Sequence, residues 1–215
     1  MSFIEYLTYT WDDLLETGIG HMVAVLISLG IATVIGITFG VLTYRRPAAS
    51  QVALAVASTI LTIPSFALFG LAIGIGLGLG YAPTIVVLSA YAILAILRNT
   101  ITGLRSVDPA ITESAKGMGM SDWQQLTRIE LPMAWPVIMA GIRVSALLIL
   151  GIATIAAYVG GPGFGEDIFT GLSTLGSVNS VNLVLSGMLG VMVLALLFEV
   201  LFTILGRFTT SKGLN

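Results

Sequence analysis

The sequence predicts an all-α integral membrane protein with about five transmembrane helices and one long polar loop on the cytoplasmic side. Three observations carry that expectation. The 215 residues are 56% hydrophobic and only 9% charged, against about 25% charged in soluble domains. The mean hydropathy is +1.01. Apolar runs long enough to cross a hydrocarbon core of about 30 Å, which takes roughly 20 helical residues, recur along the chain. All nine Lys and Arg fall on, or close to, one side of a five-span arrangement, and short loops rich in Lys and Arg stay in the cytoplasm.

The N-terminal segment 1–19 lacks the basic start of a cleaved signal peptide and carries Glu5, Asp12, Asp13 and Glu16 instead. The first apolar run is therefore expected to be a retained anchor. Phe3, Tyr6, Leu7, Trp11, Leu14 and Leu15 mix with these acids. That pattern fits an amphipathic helix at the outer interface or a frayed polar leader.

A single transmembrane domain is expected over 20–208, with its first span at about 21–43, followed by Arg45 and Arg46. The second, 53–76, holds Pro64 near its middle. Thr62-Ile63-Pro64-Ser65-Phe66 thus puts a helix-distorting proline and a hydroxyl at membrane depth. Pro64, Ser65 and Phe66 are candidates for lining a pathway, with a kink serving shape alone as the other reading. Gly70, Gly74, Gly76, Gly78 and Gly80 are not a phosphate loop, since no Lys-Ser/Thr follows. Their spacing, like that of Gly36 and Gly40, predicts close helix packing. A third span is expected over about 80–98.

Between 99 and 132 lies the polar loop, with Arg105, Lys116 and Arg128. Asp108 is placed to cap a short helix with Pro109 at its first position. That helix is expected to run to about Lys116, where Gly117 and Gly119 permit a tight bend. Ser121 and Gln124 fit a capping box opening a second short helix through Ile129 or Glu130. Pro132 is expected to end that helix or kink it into the fourth span, at about 134–159.

The stretch 160–180, with Glu166 and Asp167, is expected outside; its Gly-rich start predicts an irregular, flexible loop that either touches an external protein partner or merely turns. The fifth span is expected over about 181–206, and 209–215 form a cytoplasmic tail. The N-terminus is then outside and the C-terminus inside. Glu199 is read either as a partner of Arg143 or as a solitary snorkelling carboxylate.

Whole function classes fall away. There is no basic patch to neutralise phosphates, so nucleic acid is not an expected partner. No cysteine exists and His21 is the single histidine, so neither a thiolate nor a histidine-rich metal site is expected. No paired carboxylates or nucleophile–base set suggests catalysis. Proton-driven carriers use titratable groups inside the membrane, and these spans offer no such relay.

The loop residues Glu113-Ser114-Ala115, then three residues, Gly119, nine residues, and Ile129-x-Leu131-Pro132 resemble the EAA loop of membrane permeases in ATP-binding cassette importers, with Ser114 as the one departure. The segments 62–71, 95–120 and 158–172 further resemble the osmoprotectant permeases of that class, which handle glycine betaine, choline and carnitine. The resemblance covers roughly residues 20–205. It implies a type I importer permease fold in the cell membrane of a prokaryote and a coupling helix in the loop. Glu113, Ser114, Ala115, Gly119, Ile129, Leu131 and Pro132 take the matched positions. It also implies two ATPase subunits that hold ATP and Mg, a second copy or a related permease, and an extracytoplasmic substrate-binding protein. A different cargo, such as an amino acid, is the alternative within the class; an ATP-independent channel or secondary carrier is the alternative outside it.

Overall fold

A computed structural model describes residues 1–209; the tail expected over 209–215, with Lys212, lies beyond them apart from Thr209. Among the described residues the chain is helical. Helix α1 (Phe3–Tyr9) opens on a Ser2–Glu5 capping box, and α2 (Trp11–Thr43) follows it closely. Helix α3 (Pro47–Thr62) and α4 (Ser65–Ala72, prolonged by a π-turn over Ile73–Leu77) form a bent pair. Then come α5 (Tyr81–Arg105), α6 (Pro109–Gly117), α7 (Asp122–Gln125) and, after another π-turn, α8 (Leu131–Ala153). A short 3-10 turn, Thr154–Val159, leads to α9 (Gly165–Ser173) and α10 (Ser180–Thr209).

Four helical stretches are long and apolar enough to cross a membrane: Trp11–Thr43, Tyr81–Arg105, Asp122–Val159 and Ser180–Thr209. The fifth expected span is not straight. Pro47–Thr62 and Ser65–Leu77 meet at 97°. The cause is local: proline excludes the helical region for the residue before it, and Ile63 sits at φ −71°, ψ 129°. The carbonyl freed at this break is not wasted, because the Tyr91 hydroxyl donates to Ile63 O.

Helix α5 is the central element and buries the most residues. Small residues set its neighbours. A Cβ at Gly36 would lie 2.8 Å from Ile96, and one at Gly40 2.5 Å from Thr100, so α2 rests directly on α5. On the other side Gly141 of α8 abuts Asn99 and Ala95, and Gly103 abuts Ala134. Inter-helix hydrogen bonds add to this, Ser145 Oγ donating to Ala92 O (2.7 Å) and Ser89 Oγ to Ser28 O (3.2 Å). Arg143 and Glu199 are a pair, Nε donating to Oε2 at 2.9 Å, so neither charge stands alone on α8 and α10.

Within this chain the second glycine group does not pack helices together as expected. A Cβ at Gly70, Gly74, Gly76 or Gly78 would meet nothing within 4 Å in this chain. Gly76, Gly78 and Gly80 instead take φ of +94°, +72° and +91°, where side chains are strained. They reverse the chain from α4 into α5, anchored by Gly80 N donating to Val159 O (2.7 Å).

The stretch after Gly160 is also not the irregular loop expected. It is a tight knot around His21, which is fully buried. Phe164 N–H donates to His21 Nδ1 (3.3 Å), which leaves Nε2 to donate to Leu150 O (3.1 Å) and fixes the neutral tautomer. Gly163 is packed onto the imidazole, with a hypothetical Cβ 2.5 Å from Nδ1. The Phe164 ring fills the space over Gly190.

In α9, which is not one of the spanning helices, Asp167 Oδ2 is buried without a protein partner. Burial first, then the nearby Glu166 and Asp13, push its carboxyl up from 3.8 to about 6. The folded chain therefore holds this proton to higher pH than the unfolded chain, and stability falls as pH rises from about 4 to about 6 and is flat above. Asp167→Asn should flatten this slope and raise the melting temperature at pH 7, read by thermal unfolding in detergent across that range. An unchanged slope would refute the assignment.

Candidate functional site

The polar loop folds into an elbow of two capped helices. Asp108 accepts from Ala110 N (2.9 Å) and Pro109 occupies the first turn of α6, as the spacing predicts. The helix ends in a Schellman arrangement: Met120 N donates to Ala115 O (3.1 Å) and Gly119 N to Lys116 O (3.0 Å). Gly119, at φ +83°, is the left-handed residue this closure needs. Gly117 stays helical and is not the hinge. The Ser121–Gln124 capping box then opens α7, with Gln124 N donating to Ser121 Oγ (3.3 Å) and Ser121 N to Gln124 Oε1 (2.9 Å). Inside the bend, Gln125 Nε2 donates to Met120 O (2.9 Å) and ties the two helices together.

The end of the elbow departs from expectation. Pro132 neither stops the helix nor breaks it. The chain inserts a π-turn over Leu126–Glu130, with Leu131 N donating to Leu126 O, and runs on as one helical stretch, Asp122–Val159. Proline has no N–H to give the fourth carbonyl behind it and its ring crowds that carbonyl. The one-residue widening immediately before it absorbs both demands.

The matched loop residues divide by exposure. Glu113, Ser114 and Gly119 face outward, as do Lys116, Met118 and Trp123, the last two being 73% and 70% exposed. Ala115 is fully enclosed beneath them. Ile129 and Leu131 are half-buried, Leu131 against the core, and Pro132 is exposed. An outward Trp and Met, with Ile111 also exposed on α6, are the kind of anchors a protein surface offers a partner. Composition alone did not single them out.

Sequence reasoning also missed a polar knot beside the elbow. Tyr44 Oη donates to Glu130 Oε2 (2.5 Å), and Arg45 Nη2 donates to Glu130 Oε1 (3.1 Å) and Oε2 (3.4 Å). Arg45 Nη1 also lies 3.5 Å from Asp122 Oδ1. Burial, and then the Glu130 hydrogen bond and charge, push the Tyr44 phenol up to about 12, so it remains a donor at neutral pH. The signal available was Glu130 itself, an acid two residues from the proline that leads into an apolar span.

Pro64, Ser65 and Phe66 lie away from the elbow, at the α3–α4 break. Pro64 and Phe66 are exposed and Ser65 half-buried. Phe66 meets Tyr158 edge-on with ring centroids 5.1 Å apart, and Tyr158 meets Phe169 at 4.3 Å. These rings touch one another, so they form an aromatic surface rather than an enclosing cage. The nearby hydroxyls of Thr59 and Thr62 are on exposed residues. No group of three or more His, Cys, Asp or Glu among the described residues is placed to hold a metal ion.

Comparison with known proteins agrees with this architecture. The model of the family "Binding-protein-dependent transport system inner membrane component" matches residues 32–211. The glycine betaine/carnitine/choline transport system permease protein OpuCB of Bacillus subtilis is 35% identical over 215 residues, covering 100% of this chain and 95% of that protein. The osmoprotectant import permease protein OsmW of Salmonella typhimurium is 36% identical over 219 residues, covering all of both chains. The carnitine transport permease protein OpuCB of Listeria monocytogenes is 38% identical over 193 residues, covering 90% and 83%. Among solved structures, an inward-facing MetNI methionine ABC transporter chain superposes with a TM-score of 0.81 at 20% identity, covering 98% of this chain and 100% of that one. With the elbow, the four straight spans and the bent fifth in place, the chain belongs to the family of binding-protein-dependent transport system inner membrane components.

Proposed function

We propose that this permease carries osmoprotectants of the quaternary-ammonium class, such as glycine betaine, choline or carnitine, into the cell. The importer class rests on the family; the cargo rests on relatives that bear those names and align along almost their whole length. The observation that carries the mechanism is the elbow: a rigidly capped, outward-facing polar unit continuous with a spanning helix. An ATPase supplies the energy. Glu113, Ser114, Ala115, Gly119, Ile129, Leu131 and Pro132 form the element it engages, with Ala115 and Leu131 holding the shape from within. Two ATPase subunits closing together would bring two such elbows together and rock the spans between outward- and inward-open forms. The second permease is another copy or a related chain.

In this reading the elbow is cytoplasmic, the N-terminus is outside with α1 at the membrane surface, and the C-terminus is inside. The distribution of Lys and Arg supports that orientation. Pro64, Ser65 and Phe66 line the pathway. Non-helical backbone at membrane depth is tolerated where it is enclosed by protein or borders water, and the exposed Phe66 ring, edge-on to Tyr158, suits a cation with a methylated head.

The test is uptake by proteoliposomes containing this chain, its ATPase and its binding protein. ATP-dependent accumulation of radiolabelled betaine, choline or carnitine is expected, with Phe66→Ala slowing it at unchanged assembly. Uptake of an amino acid alone would overturn the cargo; uptake without ATP would overturn the mechanism.

A further inference from the structure

We propose that Glu130 is a positioning residue that transmits movement of the elbow to α2 and α3, neither of which adjoins the elbow in the chain. This rests on the importer reading above.

The elbow is joined through the chain to α5 at one end and to α8 at the other. Polar contacts from both of its ends converge on one short segment, Tyr44–Ser50, which holds the end of α2 and the first turn of α3. Upstream, Arg105 at the end of α5 donates from Nε to Tyr44 O (2.8 Å) and from Nη2 to Ser50 Oγ (2.8 Å). Ser50 Oγ in turn donates to Pro47 O (2.9 Å), holding the first turn of α3. Downstream, Glu130 closes the π-turn that launches α8 and is held by Tyr44 and Arg45, as described. Asp122, at the start of α7, adds the exposed contact to Arg45.

Glu130 is the keystone by burial. It is 5% exposed, whereas Asp122 is exposed. A buried carboxylate is retained only with partners that satisfy it, and this one has both a phenol and a guanidinium. Such contacts are directional in a way that apolar packing is not. A shift of the elbow therefore drags Tyr44 and Arg45 with it. Tyr44 ends α2, and three residues on Pro47 begins α3, which runs to the break at Pro64. The same joint thus connects the element proposed to meet the ATPase with the segment proposed to meet the solute.

The experiment uses the complete importer in proteoliposomes and measures solute uptake and ATP hydrolysis in the same vesicles. Glu130→Gln is expected to lower the solute imported per ATP about fivefold or more, the low end for energetic coupling between distant sites. Hydrolysis and the KM for solute should stay close to wild type, which a merely structural role would not produce. Tyr44→Phe, which removes one oxygen and keeps the ring, should act in the same direction and less strongly. The double variant should be no worse than Glu130→Gln alone, as for two residues of one joint.

Wild-type stoichiometry in both single variants overturns the proposal. So does a proportional fall of uptake and hydrolysis together in a fully assembled complex. If Glu130→Gln fails to accumulate, Tyr44→Phe decides; failure of both assigns the joint to folding alone and overturns the proposal. Wild-type vesicles that import nothing with ATP would instead refute the importer reading, leaving a distinct signature.

Discussion

Gly119→Glu is expected to abolish ATP-dependent uptake while the protein still inserts in the membrane, and to prevent co-purification of the ATPase. Two separable causes act at this position. The residue sits at φ +83° to close α6, and a side chain there costs roughly 1–2 kcal/mol. That cost alone loosens the elbow without dismantling the bundle, because a Cβ at Gly119 would meet nothing within 4 Å of this chain. The second cause is external: a charged side chain projects from the outermost point of the bend, between Met118 and Trp123. Gly119→Ala isolates the first cause and should reduce uptake by only about tenfold, the equivalent of about 1.4 kcal/mol and within that strain. If Gly119→Glu retains both the ATPase and uptake, the elbow is not the docking element.

Gly165→Ala is expected to have the largest effect on folding of any single methyl addition to the chain. The new Cβ would fall into the backbone of Thr154, against its carbonyl oxygen and carbon. A backbone atom cannot rotate away as a side chain can, so the α9 start must move. That movement would pull Phe164 from His21 and from the space over Gly190. Overpacking of this kind typically costs 1–3 kcal/mol, with more when hydrogen bonds of a buried group are also lost; a loss of about 3 kcal/mol or more is expected here. Thermal unfolding in detergent measures it. Gly151→Ala is the control: its Cβ has open space, and in a helix interior alanine is favoured over glycine by about 1 kcal/mol. Comparable melting temperatures for the two variants would mean that the knot is not a structural constraint.

The straight spans were legible because length and apolarity are sufficient to mark a crossing helix. The caps were equally legible, since Asp108, Ser121 and Gln124 act on backbone groups within three residues of themselves. What depends on distant partners was not. His21 looked like a polar residue at the edge of a span, and its burial comes from Phe164 and Leu150, more than a hundred residues away. Glycine spacing was ambiguous for the same reason: Gly36 and Gly40 meet α5 as expected, whereas Gly76, Gly78 and Gly80 serve backbone reversal. Pro64 was read as a kink, but the near right angle at the break, and the Tyr91 hydroxyl that donates to the freed Ile63 carbonyl, appear only in three dimensions. In the elbow, the pattern located the matched residues but not which face each would take, so the enclosed Ala115 and the outward Trp123 emerge only in three dimensions.

Because the π-turn carries the helix past Pro132 unbroken, Asp122–Val159 is a single 38-residue shaft, about 57 Å long at 1.5 Å per residue. That is nearly twice the thickness of the hydrocarbon layer. In the orientation proposed above, such a rod would act as a tiller: a sideways push on its protruding lower end would swing the far end the opposite way about a pivot within the lipid. The far end is Val159, whose carbonyl holds Gly80 and whose neighbours clasp His21. If the elbow engages the ATPase as proposed, opening of the outer mouth and engagement of the motor would be the two ends of one lever stroke.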